Sequence, residues 1–261
     1  AQLGGRVAVF EKSVLGGTCL NRGCIPTKCY LKTAEIMEEI SQCAQRGIIA
    51  GPKAAVDMPK AVAHKNGVVK KLTDGVAGLL RSHKIDVYHG AAALASETTL
   101  TCGGETYGFR SALLCGGSKP TVIPIPGADG KNVLDSDALL DLETLPKRLA
   151  IIGGGVIGCE MAAAFHGFGA QVTIIEAMDR IVPPMDPEIS AQMKKTFQKK
   201  GVRVLTSKKV SRLEERGETS AVVCDDGTQV EADKILICVG RSADLACLGA
   251  LKDQIKQHRG K

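Results

Sequence analysis

The residues from Gly16 to Lys28, GGTCLNRGCIPTK, hold the densest chemistry in the chain. Cys19 and Cys24 lie at the start of a predicted helix, where the helix dipole favours thiolates. Pro26 suits the first helical turn, and Lys28 adds positive charge one turn further on. Gly16 and Gly17 permit close approach of the backbone to a cofactor. This pattern predicts a reactive pair that opens and closes a disulfide. Other uses of the same thiols stand beside it. Buried structural cysteines are one. A metal or iron–sulfur site with Cys29 is another, although the C-x4-C-x4-C spacing matches neither the common zinc pairs nor ferredoxin runs. A thioredoxin-type motif needs C-x-x-C, which is not the spacing here.

A second constellation is Gly153-x-Gly155-x-x-Gly158. The first glycine allows a tight turn, the second lets the backbone approach a pyrophosphate, and the third lets helix and strand pack closely. The phosphate then meets free N–H groups at the positive end of a helix. Glu176 ends the following strand, where a carboxylate accepts from a ribose 2′-OH and repels a 2′-phosphate, favouring NAD over NADP. The plainer alternative is a Gly-rich packing turn.

These residues need a scaffold, and the chain writes it twice. Gly4-Gly5-Arg6-Val7-Ala8-Val9-Phe10-Glu11 aligns with Gly169-Ala170-Gln171-Val172-Thr173-Ile174-Ile175-Glu176, each a Gly turn followed by an apolar strand ending in Glu. Leu113-Leu114-Cys115-Gly116-Gly117 resembles Leu236-Ile237-Cys238-Val239-Gly240, each an apolar strand stopped by glycine. The later copy contains a full unit: strand Leu149–Ile152, the Gly-rich turn, and a helix from about Val156 to Phe168. Projected onto the earlier copy, the same turn falls before residue 1, so the first unit is expected to be incomplete. By the repeat, Glu11 is the counterpart of Glu176 for a second dinucleotide; a solvated strand-end Glu is the alternative.

Between the copies, helices are expected at about Pro26–Arg46 and Pro59–Ser82, then short strands over about Ile85–Cys115 with a hairpin at Gly103-Gly104. Pro120, Pro124, Pro126 and Gly127 read as a linker, and Ser136 as the N-cap of a short helix ending before Pro146. The expected fold class is α/β with two Rossmann-like three-layer domains, the first incomplete. The expected boundaries are 1–120, 121–242 and a final segment 243–261.

Composition narrows the function classes. The 261 residues are 44% hydrophobic but only 3% aromatic, with 30 glycines, which suits an α/β core of Ala, Val, Ile and Leu. The charge of +6 comes from scattered lysines without interleaved aromatics, which argues against nucleic-acid binding. No apolar run nears the roughly 18 residues of a membrane span, and the first residues carry no signal-peptide core, so a cytoplasmic setting is expected. Cys115, Cys159, Cys224 and Cys238 sit in apolar stretches and read as small buried hydrophobes.

The stretch GGTCLNRGCIPTK together with Gly153–Glu176 closely resembles the pyridine-nucleotide disulfide oxidoreductases, over about Ala1–Leu251. Within that family the redox motif is most similar to that of the dihydrolipoamide dehydrogenases, with glutathione and mercuric reductases using close variants. The resemblance implies FAD and NAD as cofactors. It implies Cys19 as the interchange thiol, attacked by a dithiol such as dihydrolipoamide, and Cys24 as the charge-transfer thiol beside the flavin. Lys28 and Glu160 match a buried Lys–Glu pair between flavin and nicotinamide. Glu11, Lys12, Gly16, Gly17, Thr18, Lys28, Gly116, Gly117 and Ser118 would contact FAD; Gly153, Gly155, Val156, Ile157, Gly158, Glu176 and Gly240 would contact NAD. Implied partners are the lipoyl domain of a 2-oxoacid dehydrogenase or glycine cleavage complex, and a second copy of the full-length chain.

Departures are visible. Cys115-Gly116-Gly117 stands where the family has Ala-Thr-Gly, and Arg241-Ser242-Ala243-Asp244 where it has Arg-x-Pro-Asn. The family's dimerisation domain and its His–Glu pair have no counterpart, and none of His64, His83, His89, His166 or His258 lies in such a motif. A glutathione- or mercury-type reductase, and a chain that only binds NAD(H), are the competing readings.

Overall fold

The computed structural model describes residues 1–49 and 54–257; the end of the polar tail, His258 included, lies outside the described residues. In chain order the elements are strand β1 (Ala8–Glu11), helices α1 (Gly17–Arg22), α2 (Cys24–Gln42) and α3 (Met58–Ser82), and strands β2 (Asp86–His89), β3 (Ala92–Leu94), β4 (Thr99–Cys102), β5 (Glu105–Gly108), β6 (Ser118–Pro120) and β7 (Val133–Leu134). Next come helix α4 (Ser136–Leu140), strand β8 (Arg148–Ile152), helix α5 (Val156–Phe168), strand β9 (Gln171–Ile175) and helix α6 (Pro187–Lys200). Strands β10 (Arg203–Leu205), β11 (Val210–Arg216), β12 (Thr219–Cys224), β13 (Gln229–Ala232), β14 (Lys234–Ile237) and β15 (Arg241–Ala243) follow. They fall into two compact units. Unit 1 comprises residues 1–25, 67–119 and 241–261; unit 2 comprises 26–66 and 120–240.

Unit 2 is built on a parallel sheet of order β10-β9-β8-β14-β7. Its strands are near-continuous apolar runs because both faces are covered. Leu149, Ile151, Val172, Ile174 and Leu236 point to one face, packed by Met161 and Phe165 of α5, Tyr30 of α2 and Phe197 of α6. Ala150, Ile152, Ile175 and Ile235 point to the other, covered by Leu213, Val222 and Val230 of the antiparallel meander β11-β12-β13. The result is three layers: helices, parallel sheet, meander. Helix α5 stops at Gly169, whose φ of +113° places it in the left-handed region, with its N–H returned to His166 and Phe165 carbonyls.

Unit 1 is thinner. Strands β1 and β2 pair in parallel, Ala8 opposite Asp86 through Glu11 opposite His89. Strands β3-β4-β5 form an antiparallel meander. The expected hairpin at Gly103-Gly104 is there, with φ of +61° and +86°. Phe10 stacks on Tyr88 at 5.0 Å and meets Tyr107 edge-on at 4.9 Å. Among the described helices, none is long and apolar enough to cross a membrane.

Four expectations change. Leu113–Cys115 is not a strand: no neighbouring strand among the described residues pairs with it, and Leu113 is 90% exposed. Cys115 is therefore exposed rather than buried, whereas Cys159, Cys224 and Cys238 are buried. Helix α4 is capped by Asp135, whose carboxylate accepts from the Ala138 N–H at 2.8 Å; Ser136 is the first helical residue. Helix α2 begins at Cys24, two residues before Pro26.

Candidate dithiol and dinucleotide sites

In unit 1 the two thiols sit on successive short-range elements. Cys19 is in the first turn of α1, and Cys24 is the first residue of α2. Only Gly23 separates the two helices, and a Cβ there would stand 3.0 Å from the Thr18 carbonyl oxygen and 3.2 Å from Cys19 Cα. Gly23 itself, at φ −133° and ψ −114°, is the non-helical break between the two helices, where a side chain would be crowded. Both thiols are exposed. Gly16, at φ +106°, caps α1 without a side-chain hydrogen bond, and Gly17, at φ +65°, opens on free space.

The other unit 1 residues expected around a flavin gather at the same unit's strand ends. Glu11 closes β1 and accepts from the Ser13 N–H at 2.8 Å. Lys12 pairs with Asp244. That ammonium, with the Ala246 N–H also donating, holds the Asp244 carboxyl below the usual carboxylate range. Gly116 packs on the Asp244 carbonyl oxygen, which would lie 2.4 Å from any Cβ, and Gly117 sits beside Thr18. Ser118 accepts from Arg241 Nε at 2.9 Å. Asp244 was not expected at the site; its signal is its place within the departure from Arg-x-Pro-Asn. The open backbone at Gly17 and the positive φ of Gly16, Gly17 and Gly117 fit part of a flavin dinucleotide.

In unit 2 the Gly-rich turn is held from several sides. A Cβ at Gly153 would meet the Cys238 carbonyl oxygen at 2.5 Å, and one at Gly158 would meet the Gly153 carbonyl oxygen at 2.0 Å. Gly155 has open space where its side chain would be and caps α5 without a side-chain bond. Val156 is exposed, Ile157 half-buried. A helix N-terminus left open beside a residue without a Cβ fits a pyrophosphate. Gly240, at φ +122°, follows β14, and its carbonyl accepts from the Thr121 N–H.

Glu176 is only 8% exposed. One carboxylate oxygen accepts from the Gly154 N–H at 2.6 Å and the other from the Met178 N–H at 2.7 Å. The side chain thus ties the strand end to the turn, and its remaining lone pairs are free to accept a ribose hydroxyl. Val182 grips the same residue from its other side: its N–H donates to the Gly154 carbonyl at 2.7 Å, and its φ of +42° is strained for a β-branched residue. No sequence pattern announced it. Cys159 donates to the Gly154 carbonyl from behind. Burial pushes the Cys159 and Cys238 thiols up to about 12, so both stay protonated.

Lys28 of α2 and Glu160 of α5, also in unit 2, form an ion pair at 2.6 Å. Their side chains are 58% and 26% exposed, so within this unit the pair is more open than the buried pair expected. An ion pair this exposed adds little stability.

Comparison with known proteins agrees with this geometry. A profile of the pyridine nucleotide-disulphide oxidoreductase family matches residues 1–261. The dihydrolipoyl dehydrogenase of Acholeplasma laidlawii is 40% identical over 94% of this chain and 74% of its own length. That of Thermus scotoductus is 39% identical over 98% of this chain and 56% of its own. The chain therefore spans little more than half of most of the curated relatives it matches. The structure of the HOCl-induced flavoprotein disulfide reductase RclA from Escherichia coli superposes with a TM-score of 0.86 at 31% identity, covering 99% of this chain and 56% of that one. LpdA from Mycobacterium tuberculosis, at 23% identity and a TM-score of 0.87, shares the fold over 98% of this chain and 57% of that one. The thiol pair, the held glycine turn and these matches together place the chain in the pyridine nucleotide-disulphide oxidoreductase family.

Proposed function

We propose that this chain carries the dithiol and dinucleotide sites of a flavin-dependent disulfide oxidoreductase of the dihydrolipoyl dehydrogenase type. The observation that carries the reading is the exposed pair Cys19/Cys24, on two helices separated only by Gly23, in a chain that also holds an open glycine turn closed by Glu176. Bound FAD supplies two-electron transfer between a thiol and a nicotinamide. The residues do the rest. With Cys19 and Cys24 oxidised to a disulfide, a thiolate of dihydrolipoamide attacks the Cys19 sulfur; a mixed disulfide forms and Cys24 leaves as thiolate. The second lipoyl thiol then displaces Cys19, so lipoamide closes its ring and both cysteines end reduced. Gly16, Gly17, Thr18, Glu11, Lys12, Gly116, Gly117 and Ser118 hold the flavin dinucleotide. Gly153, Gly155, Val156, Ile157, Gly158 and Gly240 admit the nicotinamide dinucleotide, and Glu176 selects NAD by its ribose. Lys28 and Glu160 set fixed charges on the nicotinamide dinucleotide's unit. The partner is a lipoyl-bearing protein in a reducing compartment such as the cytoplasm.

The test is the visible absorption spectrum of the purified chain with FAD, then with dihydrolipoamide. A long-wavelength shoulder that appears on reduction and is absent in Cys24→Ser supports the reading. A chain that stays colourless with FAD yet binds NADH supports nucleotide binding alone.

A further inference from the structure

The Lys28–Glu160 pair joins two helices, and the structure shows what fixes the distance between them. Glu160 and Gly167 lie seven residues apart on α5, hence on one face of that helix. Gly167 is where α2 crosses: a Cβ at this position would stand 2.5 Å from Ala34 Cβ and 3.1 Å from Ala34 Cα, whereas 3.4–4 Å is ordinary contact. Ala34 itself is buried. Four residues earlier on α2, Tyr30 is 1% exposed, meets Phe165 and Phe168 of α5 edge-on at 6.3 and 5.6 Å, and donates its hydroxyl to the Leu140 carbonyl at 2.6 Å. The two helices therefore approach at a point where one of them has no side chain, and an aromatic clamp pins the register beside it. Lys28 is two residues before Tyr30, on the far side of the clamp from Ala34.

Resting on the role given above to the Lys28–Glu160 pair, we propose that Gly167 and Tyr30 are positioning residues for that pair. The bare backbone at Gly167 lets α2 approach closely enough for Lys28 Nζ to reach Glu160. Any side chain at 167 must push α2 outward by most of an ångström to regain ordinary contact with Ala34. A hydrogen bond of 2.6 Å lengthened by that amount lies beyond ordinary N–H···O distances and is weakened to a looser ion pair. The buried titratable groups near the clamp do not perform this task. Lys65 is taken by Asp141 at 2.6 Å, and the raised Cys29 thiol stays neutral through burial.

The test reads the pair itself. Trace acylation of the folded 261-residue chain with an amine-reactive ester, followed by peptide mass spectrometry, gives the labelling of Lys28 relative to Lys71, an exposed lysine of α3. Gly167→Ala is expected to raise that ratio about two- to fivefold, the range for releasing an exposed ion pair. Adding Ala34→Gly, which moves the methyl from one helix to the other, is expected to restore it. A lowered melting temperature with an unchanged ratio would overturn the proposal, because the crossing would then be structural only. If Gly167→Ala does not fold, Tyr30→Phe decides by the same ratio: a rise supports the clamp, and no change refutes it. No flavin or nucleotide enters this assay, so a failure of the electron-transfer reading and a failure of the positioning proposal are separately visible.

Discussion

The two units solve the same design with unequal means. Each has a strand-end glutamate that accepts from the N–H two residues on, Glu11 from Ser13 and Glu176 from Met178. In unit 2 the second carboxylate oxygen also takes the Gly154 N–H, so the acid, the turn and the sheet form one block. Among the described residues Glu11 has no such glycine amide. The buried apolar residues divide the same way. Among the described residues, Leu94, Cys102 and Leu248 are the buried hydrophobics of unit 1, while both core clusters lie in unit 2. Parallel strands are ordinarily covered on both faces, and β1 and β2 keep no fully buried residue. The lesson is that the dinucleotide turn is preorganised by its own unit, whereas the thiol pair rests on local backbone geometry at Gly16, Gly17 and Gly23.

Hydrogen exchange offers the largest expected contrast. Amides of β8, β9 and β14 should exchange only through global opening, and those of β1 and β2 at least about a hundredfold faster. Equal protection would remove the distinction between the units.

Nucleotide choice sharpens it next. Glu176→Arg should move the ratio of NADH to NADPH dissociation constants by about tenfold toward NADPH, the equivalent of one charge-assisted hydrogen bond. It should also loosen the turn, because the Gly154 N–H loses a buried acceptor. An unchanged ratio in calorimetric titrations would reject the ribose role for Glu176.

The smallest effect belongs to unit 1. Asp244 has its carboxyl held below the ordinary value by Lys12. A depressed acid stabilises the fold fully above its unfolded value of about 3.9 and progressively less as pH falls through its lower folded value. The melting temperature of the native chain should therefore fall more steeply below about pH 4 than that of Asp244→Asn. Parallel curves would mean the Lys12–Asp244 tie contributes nothing.

Much of this was legible in the sequence, and the reasons are specific. The Gly153–Gly158 turn and helix α5 follow from glycines whose missing side chains are sterically required, so pattern and structure coincide. The hairpin at Gly103-Gly104 was legible for the same reason. The strand expected at Leu113–Cys115 was not realised, because an apolar run becomes a strand only beside a partner. The Asp135 cap was missed because Asp135 and Ser136 are both good caps, and only geometry separates them. Val182, Tyr30 and the Gly167 crossing were illegible: each acts through a contact far away in sequence, and none carries a local signature.

The central claim is that Cys19 and Cys24 act as an exchanging pair with Cys19 facing the dithiol. The direct measurement is peptide mapping of mixed disulfides after Cys24→Ser and Cys19→Ser chains are incubated with oxidised lipoamide. In Cys24→Ser, the Cys19 thiolate should open the lipoyl S–S bond, and an alkylating quench that caps the lipoyl thiol released in that step keeps the mixed disulfide from re-closing to lipoamide. In Cys19→Ser, Cys24 should capture little. Equal capture at both positions, or capture at Cys24 alone, would contradict the account.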